Sequence, residues 1–391
     1  MKKFELLAPA GDFPSMIAAV EAGADAVYFG LKDFNMRDSA KNFNLKDLDK
    51  INKICKNVKK YLTLNTIIYD SELKRIEEII KKIKNKIDAI ICWDNSVIEL
   101  CKKYKIPFHV STQASIANSK AALFYKRLGA KRIILARELN LNQIKKISKI
   151  MDIECFIHGA MCVSVSGRCF TSQFLEKKSA NRGECIQFCR RGYIVKDEDG
   201  NELKLNNNRV MSAKDLCTLP FIEKLKKAGI TSFKIEGRNR SPEYVKTVVY
   251  VYRKALDNKL NKKEISKLLG QLKTVYNRGF SSGFYLGLPT SDDFSVTEHG
   301  EAEERKMVLG TIMKYWSKIG VAALKINTRQ LSLGDEIYII GKDTGIVRVK
   351  IDRMEIEHKS INKVKKGMMV GIKVPKCHKG DEVFLIEKLS F

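Results

Sequence analysis

The chain has 391 residues, of which 44% are hydrophobic, so it can form one large domain and one small domain without disulfide bonds. Its 72 Lys and Arg residues against 45 Asp and Glu give a net charge of +27, which favours an RNA or DNA partner, although lysines on solvated helix faces would give the same excess. The sequence shows neither a signal peptide nor an apolar run of transmembrane length, so we expect a cytoplasmic protein without a membrane partner.

Strand-like and helix-like segments alternate along the first two thirds of the chain. The predicted strands are Phe4–Ala8, Asp25–Gly30, Tyr61–Ile67, Asp88–Trp93, Pro107–Thr112, Arg132–Arg137, Ile153–His158 and Ser232–Glu236. The predicted helices are Phe13–Ala22, Leu45–Lys59, Asp70–Lys84, Asn95–Lys103, Asn118–Leu128, Leu141–Ser148 and Pro242–Leu256. This alternation predicts an α/β fold with a parallel sheet closed as a (β/α)8 TIM-like barrel; a doubly wound open sheet is the alternative.

A cysteine-rich insertion at about residues 159–217 follows the seventh predicted strand. Its thiols are Cys162, Cys169, Cys185, Cys189 and, at the far end, Cys217. Cytoplasmic thiols stay reduced, so the first four indicate ligands for a metal or a cluster, with Cys217 as an alternative fourth ligand. No tight C-x2-C pair is present, which favours a [4Fe-4S] cluster over structural zinc, and a loop without metal remains the third possibility.

Charged side chains accompany these thiols and end the neighbouring strands. The candidate catalytic residues are His158, Lys214, Glu236 and Arg238. His158 could act as an acid or base, while Glu236 and Arg238 end the eighth strand. Arg168 and Arg182 flank the thiols, and we predict that they bind the anionic cofactor. A hydrogen-bonded histidine and internal ion pairs are the alternatives.

The last quarter of the chain changes character. Residues 1–288 are the predicted TIM-like catalytic domain, residues 289–306 an acidic linker, and residues 307–391 a small antiparallel β-barrel. Its predicted strands are Met307–Gly310, Gly320–Ile326, Asp335–Gly341, Gly345–Met354, Met368–Val374 and Glu382–Glu387. Lysines in the turns at residues 365–367 and 379–381 could contact RNA, although solvated turns would look the same.

Five segments of the chain resemble peptidase family U32: ELLAPAG, FIHGAMCVSVSGRC, ANRGEC, MSAKDLC and SFKIEGR. The resemblance extends from about residue 4 to residue 285, and its cysteine segment is highly specific. The C-terminal part is similar to the small β-barrel that some members carry. Neither an H-E-x-x-H zinc helix nor a G-x-S-x-G elbow occurs in the chain.

The resemblance implies oxygen-independent hydroxylation on a [4Fe-4S] cluster, whose ligands by motif match are Cys162, Cys169, Cys185 and Cys189. Members of this kind form 5-hydroxyuridine at the tRNA wobble position with prephenate as co-substrate. A relative hydroxylates an rRNA cytidine, and the family's older label is collagenase-like peptidase, so both activities are alternatives. The positive charge favours an RNA substrate, and the electron donor is unknown.

Overall fold

The structure, a computed structural model, describes residues 4–203, 209–297 and 300–389. The first twelve strands are β1 (Glu5–Pro9), β2 (Ala26–Gly30), β3 (Lys59–Thr63), β4 (Ala89–Cys92), β5 (Phe108–Val110), β6 (Arg132–Ile134), β7 (Ile153–Gly159), β8 (Val195–Lys196), β9 (Glu202–Leu203), β10 (Asp215–Cys217), β11 (Ser232–Ile235) and β12 (Phe280–Ser281). Strands β1 to β7 pair in chain order, and β11 pairs with both β1 and β7. The eight parallel strands therefore close into a barrel, as predicted.

Helices surround this barrel, and a further helix, the seventh, lies in the insertion that follows β7. They are α1 (Phe13–Glu21), α2 (Leu48–Ile54), α3 (Leu73–Ile83), α4 (Asn95–Tyr104), α5 (Ser119–Leu128), α6 (Leu141–Ile147), α7 (Thr171–Glu176), α8 (Ile222–Lys227), α9 (Pro242–Asp257) and α10 (Lys262–Thr274). Short 3-10 turns occupy Leu45–Asp47, Asp70–Glu72, Thr112–Ala114, Val165–Gly167, Ala180–Arg182, Phe188–Arg190, Leu219–Phe221 and Ser291–Asp293. The strands are buried on both faces because these helices cover the outside of the barrel, so their sequences read as apolar runs.

Among the predicted elements of the barrel, the second helix and the third strand differ most in extent from those observed. The second helix ends at Ile54 instead of Lys59, because Lys59 already pairs with Ala26 at the start of β3. Strand β3 ends at Thr63 instead of Ile67, because the chain turns there into a loop in which Asn65 accepts a hydrogen bond from the Met36 amide at 3.3 Å. In both places tertiary pairing overrides the local preference of the sequence.

Two strands that periodicity did not predict extend the barrel sheet: β10, at the end of the insertion after β7, and β12, which follows α10. Strand β10 runs antiparallel to β7, with Cys217 opposite His158, and β12 pairs in parallel with β10. The barrel sheet thereby gains an extension at one side of its carboxyl-terminal mouth. Helix α8 then leads into β11 and completes the barrel.

The C-terminal part is a second, antiparallel sheet. Its strands are β13 (Glu304–Trp316), β14 (Val321–Ile326), β15 (Leu331–Ser332), β16 (Glu336–Gly341), β17 (Gly345–Lys350), β18 (Met354–Ile356), β19 (Lys359–Ser360), β20 (Lys363–Val364), β21 (Met369–Lys373) and β22 (Glu382–Lys388). Eight of them form one sheet around a separate apolar core, and β15 pairs with β20 beside it. The antiparallel β character predicted for this part is confirmed.

The barrel and the C-terminal sheet pack directly against each other. Helix α1 lies on β17, and Gly345 leaves room there for Ile17, whose Cγ2 would lie 2.5 Å from a methyl group at that glycine. Lys246 donates to the Ile346 carbonyl at 3.0 Å, and Lys306 pairs with Glu243 at 2.9 Å. In the residues that the structure describes, no helix has the length and apolarity that crossing a membrane requires.

Candidate functional site

The cysteine-rich insertion lies across the carboxyl-terminal mouth of the barrel and is tied to the strand-end loops there. Arg182 donates to both carboxylate oxygens of Glu72, at 2.9 and 2.5 Å, and to the Ile67 carbonyl at 2.6 Å. Arg168 donates to the Gln113 carbonyl, and its guanidinium lies 5.0 Å from the Trp93 ring centre. The two arginines predicted to bind a cofactor therefore act in this structure as tethers of the insertion.

Glycines allow the insertion to approach the barrel closely. Gly159, at the end of β7, has φ +102°, and a methyl group there would lie 2.5 Å from the Glu236 carbonyl oxygen. Gly183 has φ +103°, and its methyl group would lie 2.4 Å from the Asn35 carbonyl oxygen. The Gly183 carbonyl accepts a hydrogen bond from the Asp38 amide at 3.2 Å. At both positions a side chain would be strained by the positive φ and would collide with the carbonyl oxygen, so glycine is required.

The four thiols of the insertion lie close enough for their charges to interact. Burial raises the pKa of Cys189, and the neighbouring Cys162, Cys185 and Cys169 raise it further, while Arg190 lowers it. Cys162 and Cys185 are exposed, and Cys169 and Cys189 are half-buried. Across the described ranges, no three His, Cys, Asp or Glu side chains already converge on one metal position. The donor set, four soft thiols, fits an iron–sulfur cluster, although its coordination geometry is not formed.

Cys217 lies apart from this group. It is buried beside Tyr252, whose hydroxyl lies 3.7 Å from its sulfur, and burial raises the pKa of its thiol to about 11. It also lines a separate cavity of about 650 Å³ between α10 and β12. Its place in the core is that of a neutral structural thiol.

Glu236 is the central carboxylate of the mouth. Arg37 binds its Oε1 through Nε at 3.1 Å and Nη2 at 2.9 Å, and the Tyr28 hydroxyl lies 3.5 Å from its Oε2. Burial acts to raise the pKa of Glu236, but the positive charges of Arg37 and Arg137 outweigh it, so the pKa is lowered. Glu236 is therefore an ionised carboxylate at neutral pH.

Arg238, two residues later, is held by neighbouring side chains. It is buried, and its guanidinium donates to Thr63 at 2.5 Å, to Asn42 at 3.1 Å and to Asn35. It lies beneath the loop that carries Arg37, whose carbonyl it also contacts at 3.3 Å. In this structure Arg238 supports Arg37, and among its own nitrogens only Nε has no hydrogen-bond partner in the described residues.

A second group of charges surrounds Asp215, at the start of β10. The pKa of Asp215 is raised because burial outweighs the opposing effect of four guanidinium groups, those of Arg240, Arg278, Arg190 and Arg137. The Asp215 Oδ1 lies 3.9 Å from Arg278 Nη1 and accepts no hydrogen bond from the described residues. Arg278 and Arg137 each bury two nitrogens that have no hydrogen-bond partner there either. Guanidinium groups, one buried and three half-buried, outnumber carboxylates here, so this side of the mouth favours an anion.

His158 and Lys214 lie on the same side. The His158 carbonyl accepts a hydrogen bond from the Glu236 amide at 2.9 Å, but among the described residues neither the His158 ring nor the Lys214 ammonium bonds to the Glu236 carboxylate. Burial lowers the pKa of His158 to about 3, and its Nδ1 lies 3.3 Å from the Tyr252 hydroxyl. His158 is thus a neutral ring packed against aromatic side chains. Lys214 is half-buried with its chain over Gly279, where a methyl group would lie 3.2 Å from Lys214 Cε.

Three residues of the mouth were not among the predicted site residues: Arg37, Arg137 and Asp215. Arg137 ends a predicted strand and Asp215 is next to Lys214, so the sequence did indicate that both could lie at the mouth. Arg37 lies in an irregular loop after β2, and only the folded chain shows that it meets Glu236, 199 residues later.

Comparison with known proteins gives a family match and several similar chains. Residues 11–294 match the family described as Peptidase family U32. A protein named Collagenase, from Porphyromonas gingivalis, is 41% identical over 408 residues, covering 98% of each chain.

Two further relatives carry names that refer to RNA. A protein named tRNA hydroxylation protein P1, from Bacillus subtilis, is 34% identical over 361 residues, covering 88% of this chain and 84% of that protein. A protein named 23S rRNA 5-hydroxycytidine C2501 synthase, from Escherichia coli, is 40% identical over 260 residues, covering 65% of this chain and 39% of that protein.

Proposed function

This chain belongs to Peptidase family U32, and from that membership we propose that it is an iron–sulfur RNA hydroxylation enzyme. Its proposed product is 5-hydroxyuridine at the tRNA wobble position, with prephenate as co-substrate. The observation that carries the proposal is the insertion that Arg168 and Arg182 tie across the barrel mouth, because it brings four thiols to the same mouth as Glu236 and an excess of guanidinium groups. Relatives named for RNA hydroxylation support the substrate class.

In this proposal Cys162, Cys169, Cys185 and Cys189 hold a [4Fe-4S] cluster, which would supply one-electron transfer. Four thiolates are anionic, and positive charge from Arg37 and Arg137 already acts on Cys162 in the structure. These arginines would therefore stabilise the bound group electrostatically. The burial of Cys217 beside Tyr252 supports Cys189 as the fourth ligand.

The anionic co-substrate would bind on the Asp215 side of the mouth. Arg137 donates through Nη1 to the Ala160 carbonyl at 2.9 Å, which leaves its Nε and Nη2 for a ligand. Arg278 adds its Nε, which has no hydrogen-bond partner in the described residues, and its Nη1, which faces Asp215 at 3.9 Å. Guanidinium groups bind carboxylates through paired hydrogen bonds, so these residues would orient the co-substrate while Glu236 stays ionised to accept a proton.

The relatives bear on which RNA is modified. The chain covers most of the tRNA hydroxylation protein but 39% of the rRNA cytidine synthase, so the domain composition favours tRNA. Hydroxylation of an rRNA cytidine by the same chemistry is the alternative. The net charge of +27 would hold either RNA by its phosphates, and we propose a cytoplasmic location accordingly.

A peptidase is the second candidate function, because the match to the relative named Collagenase covers 98% of the chain. A cysteine peptidase needs a thiol of lowered pKa next to a titrating imidazole. His158 and Cys217 are neighbours across β7 and β10, but the pKa of the thiol is raised to about 11 and that of the imidazole is lowered to about 3. This pair therefore gives the peptidase hypothesis no support.

Mass spectrometry of nucleosides from cells that lack this protein tests the proposal. Transfer RNA and ribosomal RNA are digested separately, which distinguishes the two substrates. We expect 5-hydroxyuridine and its derivatives to disappear from tRNA. Loss of 5-hydroxycytidine from rRNA instead would replace the tRNA version with the rRNA version, and unchanged nucleosides in both fractions would contradict RNA hydroxylation altogether.

A further inference from the structure

Two aromatic rings are exposed to solvent at the edge of the cysteine-rich insertion. Phe170 directly follows Cys169, and Phe174 lies one turn later, in α7; their side chains are 59% and 83% exposed. The ring centres lie 6.1 Å apart with the planes inclined by 42°, so neither ring covers the other. Exposed apolar surface of this kind, beside a functional site, indicates a binding surface.

We propose that Phe170 and Phe174 are a stacking platform for unpaired bases of the RNA that carries the target nucleotide. The inference rests on the proposed function, because it assigns residues of this chain to the RNA substrate. Proteins that bind single-stranded nucleic acid place bases on aromatic side chains, and every base has a face that can stack. Phenylalanine offers such a face without hydrogen-bonding preference, so the platform would tolerate different flanking sequences.

The charges around the rings favour RNA over a protein partner. Lys177 and Lys178 follow α7 directly and are exposed, and among the described residues neither lies within 4.0 Å of a carboxylate. Arg191, in the same insertion, is a further exposed basic residue. Protein interfaces are depleted in lysine, whereas a strand of RNA presents phosphates on one side and bases on the other. Exposed lysines beside exposed aromatic rings match this arrangement of phosphates and bases.

The platform is attached firmly to the thiols. The Cys169 amide donates to Asn181 Oδ1 at 3.0 Å, and the Cys169 sulfur lies 3.2 Å from Thr171 Oγ1. The Ser172 hydroxyl accepts a hydrogen bond from the Ile186 amide at 3.1 Å, which joins α7 to the segment that carries Cys185. Bases held on the two rings would therefore lie beside the thiols, where the target nucleotide must arrive.

The test is the affinity of the full-length, anaerobically purified protein for a fluorescent single-stranded oligouridine, measured by anisotropy. The variant Phe170→Leu/Phe174→Leu keeps apolar side chains and removes both rings. The matched control is Phe124→Leu, because Phe124 is 60% exposed on α5, on the outside of the barrel. We expect a rise in Kd of about ten- to hundredfold for the double variant and less than about twofold for the control.

Salt titration separates stacking from charge. Lys177→Gln/Lys178→Gln should reduce the slope of log K against log salt by about 0.7 for each phosphate that the two lysines neutralise, whereas the leucine variant should leave the slope unchanged. Unchanged affinity of the leucine variant, with wild-type iron content and unfolding midpoint, would overturn the platform. So would a leucine variant that binds RNA normally but no longer binds a protein electron donor. Wild-type protein without measurable RNA affinity would instead count against the proposed function itself.

Discussion

The charge of Glu236 is set by its neighbours more than by its burial. Its side chain is 12% exposed, and burial alone would favour the protonated form. The two-pronged contact from Arg37 reverses this preference, and Arg238 in turn holds the loop that carries Arg37. One salt bridge thus joins the loop after β2 to the end of β11.

We predict that Arg37→Gln lowers the free energy of unfolding at pH 7 by about 1–3 kcal/mol, because it leaves a buried carboxylate without its cation. The pKa of Glu236 lies below its usual value of 4.5, so the contribution of this pair is present above pH 4.5 and is lost as the pH falls through the folded-state pKa. Urea unfolding of wild type and variant should therefore converge at low pH.

The control for this prediction is Arg75→Gln, which breaks the exposed Arg75–Asp33 pair and should cost less than about 1 kcal/mol. A difference between wild type and Arg37→Gln that stays constant as the pH falls well below 4.5 would contradict the assigned role of the Glu236 charge.

A second prediction concerns the fourth thiol. Cys189→Ser should lower the iron and sulfide content of anaerobically purified protein to well below half of the wild-type value, because Cys189 lies within the group of interacting thiols. Cys217→Ser should retain that content, because Cys217 is packed beside Tyr252. The measurement is iron and acid-labile sulfide per chain; the reverse pattern would transfer the ligand role to Cys217.

At the scale of elements, the end of β7 determines where the insertion begins. The strand is buried over its whole length, and at Gly159 the chain turns into the loop that carries Cys162. The same strand pairs with β6, β11 and β10, so it connects the barrel to the added sheet edge. A change at this turn should therefore disturb the barrel and the site together.

We predict that Gly159→Ala lowers the free energy of unfolding by about 2–4 kcal/mol. The alanine would have a positive φ, and its methyl group would collide with the Glu236 carbonyl and the Tyr244 hydroxyl. Gly129→Ala is the matched control, because Gly129 has φ +100° and open space around it, so this variant bears only the backbone strain. Denaturant unfolding of both variants measures the difference, and equal losses would show that the contact at Gly159 contributes nothing.

The elements that the sequence predicted are those with strong local patterns. Eight apolar runs gave the barrel strands, and the spacing of the cysteines singled out the insertion. Strands β10 and β12 escaped prediction because they have three and two residues, and their pairing depends on where the insertion folds back. Arg37 and its partner Glu236 could not be paired in advance, because closure of the barrel brings them together.

At the scale of the whole molecule, an ionic network crosses the interior of the barrel at the end opposite the mouth. Glu5 in β1 accepts hydrogen bonds from Arg132, from Ser232 at 3.0 Å and from Tyr61 at 2.8 Å. Glu154 pairs with Lys234 at 2.8 Å and approaches Arg132 at 3.5 Å. The network joins five strands that are far apart in the chain, so it ties the closed barrel together.

This network makes the barrel sensitive to acid. The pKa of Glu5 is lowered from 4.5 to about 2: burial would raise it, but Arg132 and the hydrogen bonds outweigh burial. Its stabilisation is therefore complete above pH 4.5 and is lost as the pH falls towards 2. We predict that Glu5→Gln lowers the free energy of unfolding by about 3 kcal/mol at pH 7. As the pH drops below 4.5, the free energy of unfolding of this variant should fall less steeply than that of the wild type.

Urea unfolding at several pH values checks this prediction, with the exposed Glu78→Gln as the control that should match the wild type. Identical pH profiles for wild type and Glu5→Gln would show that the network does not set the acid limit of the barrel.

The central claim is that the thiols at the barrel mouth serve RNA hydroxylation. Its most direct test is mass spectrometry of tRNA nucleosides from cells that lack this protein and are supplied with either the wild type or the Cys162→Ala/Cys185→Ala variant. We predict that 5-hydroxyuridine returns with the wild type and stays absent with the variant, at equal protein levels. Full restoration by the variant would contradict the claim.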